Sequence, residues 1–135
     1  MRHLLIKTLA GSGLLLLTLT ASGQNPPRNE YGYQMDQREA RDYDRFFERV
    51  RGDLDRASAA ALPFTDERDR VTRAREEVSE CQRALMAGDY DRRTFDEAIF
   101  AIQRVVDLNR LSDRNRDYLL DDVRELRHLR SRLEE

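Results

Sequence analysis

Residues 43–61 read YDRFFERVRGDLDRASAAA, and the spacing of their apolar members decides the fold. Tyr43, Phe47, Val50, Leu54, Ala57 and Ala61 recur at alternating steps of four and three, which at about 100° per residue gathers them within about 40° on one side of a helix. Phe46 widens the stripe, while Arg45, Arg49, Arg51, Asp53 and Arg56 point elsewhere. A helix with so narrow an apolar seam does not stand alone in water. It needs partner helices to cover its aromatics, so the stretch implies a bundle and, by itself, no chemistry.

Three later segments supply the partners. Val71, Ala74, Val78, Cys81 and Leu85 repeat the three-four spacing in a second helix. It starts at Thr65 or Asp66, has Glu67 and Asp69 in its positive first turn, and is stopped by Gly88. Asp89 or Asp91 opens a third, whose apolar face of Phe95, Ala98, Ile99, Ile102, Val105 and Val106 ends near Asn109, a residue that tolerates left-handed geometry. Ser112 caps a fourth, with Tyr118, Leu119, Val123, Leu126, Leu129 and Leu133 as its stripe. Its acids Asp113, Asp117, Asp121 and Asp122 come early and Arg124, Arg127, Arg130 and Arg132 late, the order that suits the helix dipole.

The first helix begins near Met35 or Asp36 and ends at about Ala61, because Pro63 disfavours helical geometry at Leu62. Gly52 lies inside it, about 180° from the stripe and facing water. Short connections make sequential helices antiparallel neighbours. The predicted fold is therefore all-α, an up-down-up-down antiparallel four-helix bundle over residues 35–135. In that arrangement the end of the fourth helix lies beside the start of the first, which predicts a pair between Arg130 and Asp36 or Glu39.

Residues 1–23 have the build of a cleaved signal peptide. Arg2 and Lys7 lead, an apolar run is centred on Leu14 to Leu19, and Ala21 and Gly23 stand at peptidase spacing. The run is too short to span a bilayer and no stop-transfer pattern follows, so the expectation is export to the periplasm or medium with no membrane span. No Cys follows it to carry a lipid anchor. Residues 24–34, with Pro26-Pro27 and Tyr31-Gly32-Tyr33, lack periodicity and read as a flexible N-terminal arm whose adhesive groups are the two tyrosines.

The chain holds 24 Lys plus Arg against 26 Asp plus Glu, a formal net charge of −2. Both signs are mixed along every segment. That pattern makes solvated helix faces and lacks the one-sided basic excess of a nucleic-acid footprint, so no nucleic-acid partner is expected. Cys81 is the only cysteine. It can form no intrachain disulfide and falls in the apolar arc of the second helix, where a buried, inert thiol belongs.

Met35 and His128 occupy the places at which haem-binding bundles of the cytochrome b562 type carry their ligands, but His128 lies about 200° from the stripe of its helix and Met35 sits at a fraying end. Glu125-x-x-His128 matches half of a di-iron motif without its second copy. Asp113-x-Asn115-x-Asp117 opens like a calcium loop, yet Tyr118 stands in place of its Gly and Arg124 in place of its bidentate Glu. No Ser lies in a nucleophile elbow, and close acids such as Glu76-Glu77 are what this composition provides on solvated faces. The chain also lacks the Leu-Thr-x-x-Gln motif of periplasmic helical chaperones.

These readings leave no expected catalytic, metal or cofactor site. The sequence instead points to a non-enzymatic exported protein that binds another protein or an envelope component, with weak self-association as a further option. A haem or metal carrier of the four-helix type is the alternative. Phe100 is the first candidate partner contact, since it sits about 160° from the apolar centre of its helix and should face solvent. Tyr31 and Tyr33 are the others.

Overall fold

Apolar stripes at helical spacing become four helices and no strand among the described residues. The computed structural model describes residues 35–135. The signal peptide expected at 1–23, the arm at 24–34 and the candidate contacts Tyr31 and Tyr33 lie outside the described residues. The helices are α1 (Gln37–Ala59), α2 (Asp66–Met86), α3 (Arg92–Leu108) and α4 (Asp113–Leu133). None is long and apolar enough to cross a membrane.

Each start has a local cause. Asp36 accepts a hydrogen bond from the Glu39 amide at 2.7 Å, Asp91 from the Arg93 amide at 2.9 Å, and Ser112 from the Asn115 amide at 3.3 Å, so three helices begin with a side chain satisfying a free backbone donor. Thr65 starts α2 without a side-chain cap, its hydroxyl donating instead to the Leu62 carbonyl at 2.8 Å. Met35, expected to fray, is in the core at 4% exposure. It directly precedes the capping Asp36, and an apolar residue there anchors the incoming chain against the first turns, where Ala40 also packs on the core.

The ends are equally specific. α2 closes with Gly88 at φ 76°, the Gly88 amide bonding the Leu85 carbonyl and the Asp89 amide the Ala84 carbonyl, each at 3.0 Å. That is a Schellman close, which a glycine makes without steric cost. α1 ends at Ala59, two residues short of the expected Ala61, as the chain turns at Ala60 ahead of Pro63. Asn109 ends α3 in an extended conformation, not the left-handed one expected. Its side chain is spent on tertiary bonds: Oδ1 accepts from Arg70 Nε at 2.7 Å and Nδ2 donates to the Glu67 carbonyl at 2.9 Å. These bonds tie the start of α2 to the end of α3.

Packing runs α1 to α2, α2 to α3, α3 to α4 and α4 back to α1. All four stripes meet in one core, with Phe47, Leu54, Val78, Cys81, Phe95, Ile102, Leu119 and Leu126 fully buried. α1 and α4 are antiparallel: Arg49 reaches Asp122 and Glu125, and Arg56 lies over the Tyr118 ring. The predicted bond of Arg130 to Asp36 or Glu39 is corrected. Arg130 pairs with Asp96 of α3, so its edge of α4 faces α3 and the opposite edge faces α1.

Candidate functional site

Phe100 is where the sequence places it. It projects from the outer face of α3 and is 62% exposed, while its neighbour Ala101 is buried against the core. The Arg104 guanidinium, one turn on, lies 5.8 Å from the ring centroid, the spacing of a cation–π contact. Phe100 borders an open groove of about 710 Å³ between α2 and α3, whose walls carry Asp69, Arg73, Glu76, Glu77, Glu97 and Arg104.

Three more large apolar side chains are exposed, and the sequence reading missed them. Leu62 and Phe64 stand on the loop between α1 and α2, and Leu108 ends α3. Leu62 and Phe64 border hollows that share wall residues with the Phe100 groove. Arg70 lines that groove, lines the hollow beside Leu62 and Phe64, and donates to the Leu108 carbonyl at 3.4 Å. Asp69 and Thr72 likewise border both Phe64 and the groove. Phe64 is fully exposed and adopts φ 59°, a left-handed backbone that is uncommon for a bulky residue and costs about 1–2 kcal/mol. The only sequence signal for this was an apolar Leu-Pro-Phe run in a turn, where packing beneath the loop was the ordinary expectation.

A second groove, about 630 Å³, runs between α1 and α4. Phe46, Arg49, Glu125 and His128 line it. Arg49 pairs with Glu125, lies over the Phe46 ring at 5.2 Å, and reaches Asp122 Oδ1 at 3.4 Å. Asp122, one of the early acids of α4, is 1% exposed and its Oδ2 has no hydrogen-bond partner. Burial raises its carboxyl to about 6, against the opposing pull of Arg49. Asp53 is also buried, paired with Arg56.

The motifs tested for chemistry are dispersed. Met35 belongs to the core and His128 to the exposed face of α4, while Asp113, Asn115 and Asp117 occupy the first turns of a helix and not a loop. Glu125 is engaged by Arg49. Among the described residues no three His, Cys, Asp or Glu side chains gather as a metal site. Cys81 is fully buried, and burial pushes its thiol up to about 12, so it stays protonated and weakly nucleophilic. No family model, curated protein or solved structure matches the chain.

Proposed function

We propose that this chain is an exported, non-enzymatic up-down-up-down helical bundle that acts by docking another protein or an envelope component on its α2/α3 side. The observation that supports the reading is the exposed Phe100 on a groove rimmed by Arg and acidic side chains, next to hollows that share Asp69, Arg70 and Thr72 with it and carry the exposed Leu62 and Phe64. An aromatic anchor inside a charged rim has the composition of a protein contact. The exposed, conformationally strained Phe64 adds to it, since residues held in costly backbone conformations cluster at functional surfaces. Export rests on the leader-like pattern of residues 1–23.

Photoreactive residues placed singly at Phe64 and Phe100 in the native host, with Arg127 on α4 as control, test the docking. Recurrent adducts of one envelope component from Phe64 and Phe100, and none from Arg127, are expected. Equal labelling from all three sites, or none, overturns the reading. Cell fractionation tests export, with a full-length, unprocessed chain in the cytoplasm as the contrary result.

A further inference from the structure

We propose that the groove between α2 and α3 is a self-complementary face that takes a second copy of this chain, packed about a two-fold axis that passes through Phe100. The inference names one occupant of the docking surface and rests on the reading of that surface as a protein contact.

The argument is charge complementarity. Glu97, Phe100 and Arg104 all border the groove from α3, an acid and a base one turn to either side of an aromatic. In a face-to-face pair whose two-fold axis crosses α3 at Phe100, the two α3 helices run antiparallel. Phe100 then meets its counterpart, and Arg104 of each copy meets Glu97 of the other. α2 follows the same order. It is antiparallel to α3, as the short connection from Met86 to Arg92 joins them at one end and Arg70 bonds Asn109 near the other, which sets Glu76 about level with Phe100. Asp69 and Arg83 lie seven residues, about two turns, on either side of Glu76, so each would face the other's counterpart across the contact.

Of these groups Arg83 is already paired, with Glu80 one turn back on α2. Arg104, Asp69 and Glu76 form no ion pair within the described chain, Arg104 touching only the Phe100 ring. Glu97 has a distant partner in Arg93 at 3.7 Å. A parallel stacking of the two faces, with the axis along the helices, would instead set Arg104 against Arg73 and Glu97 against Glu80. The antiparallel arrangement matches opposite signs at Arg104–Glu97 and Asp69–Arg83, against one like-charge approach at Glu76.

The pair is weak by size and by one repulsion. A face about 30 Å long and two helices wide offers about 600 Å² per copy, short of the roughly 800 Å² of a standard interface. The two Glu76 side chains also approach each other near the axis. Dimerisation is therefore concentration-dependent, with Phe100 supplying the anchor.

Sedimentation equilibrium of the purified protein from micromolar to millimolar concentration, with a thermal melt of each variant to verify folding, is the test. A reversible dimer is expected, weakened at least about tenfold in Phe100→Ala. Arg104→Glu should abolish it by facing Glu97 with a like charge, and the double variant Glu97→Arg with Arg104→Glu should restore it. A monomer at every concentration overturns the proposal, as does a dimer indifferent to Arg104→Glu or not recovered in the double variant. Loss of this dimer with the envelope adducts from Phe64 intact would sink the self-contact and leave the docking reading standing.

Discussion

Asp122 shows how a single buried carboxylate governs its surroundings. One oxygen reaches Arg49 at 3.4 Å and the other has no partner, so ionisation inside the protein is less favourable than in the unfolded chain and the carboxyl rises from 3.8 to about 6. The folded state thus binds the proton more tightly. This group's contribution to stability is greatest below 3.8 and is lost as pH rises towards 6. Asp122→Asn removes the titration, so the variant should gain on wild type as pH rises through that window. Denaturant midpoints measured from pH 3 to 8 check it, and a difference that is flat or of opposite slope would contradict the assignment.

Phe64 gives a second prediction at this scale. Its ring buries nothing and its backbone is left-handed, so Phe64→Gly should stabilise the fold by about 1 kcal/mol through relief of strain, less the entropy glycine adds to the unfolded chain. A lower melting temperature would mean that the ring packs in solution. Neither residue was legible in the sequence. Asp122 lies about 60° from the Leu119–Leu126 line, at the margin between stripe and surface, where periodicity alone assigns no side. Phe64 belongs to a turn, for which periodicity says nothing.

Elements were far more legible than these residues, because each helix carries both its stripe and its stop. The buried residues of α1, α2 and α4 reproduce the expected stripes apart from Ala61 beyond the end of α1, Leu133 at the last position of α4 and Tyr118, which is only half-buried within α4, and with the polar Asp53 and Asp122 added. Two glycines differ in their backbone roles. Gly52 lies mid-helix, and a Cβ there would meet only the Arg56 guanidinium at 3.9 Å, so Gly52→Ala should stabilise by about 0.5–1 kcal/mol. Gly88 holds the left-handed close of α2, so Gly88→Ala should destabilise by about 1 kcal/mol. Opposite signs in thermal melts are expected, and like signs would refute one of the two backbone assignments.

At the scale of the molecule, the sequence could not say which edge of α4 faces which neighbour. In a ring of four helices α4 touches α1 on one side and α3 on the other, and phase fixes only the inward direction. Arg130 therefore went to the wrong partner, and its bond to Asp96 settles the edge. Contact density is uneven around that ring. The α1–α4 seam is the sparsest and the α2–α3 seam the densest, the latter reinforced by the Asn109 bonds to Arg70 and Glu67. Native-state hydrogen exchange should find α2 and α3 protected to the global unfolding limit, with α1 exchanging through a smaller opening. Uniform protection of all four helices would show that the seams open together.

The closure of the ring from α4 back to α1 means that the chain's path is not essential to its shape. The start of α1 and the end of α4 share one end of the molecule, since α1 and α4 run antiparallel side by side, while the exposed Leu62–Phe64 loop lies at the other. A short linker from Glu135 to Met35, with new termini cut between Pro63 and Phe64, rearranges the order of helices to α2, α3, α4, α1 and leaves every seam in place. Such a circular permutant of residues 35–135 should recover the same helical content and a cooperative melt, because the cut falls where no core residue and no helix is interrupted.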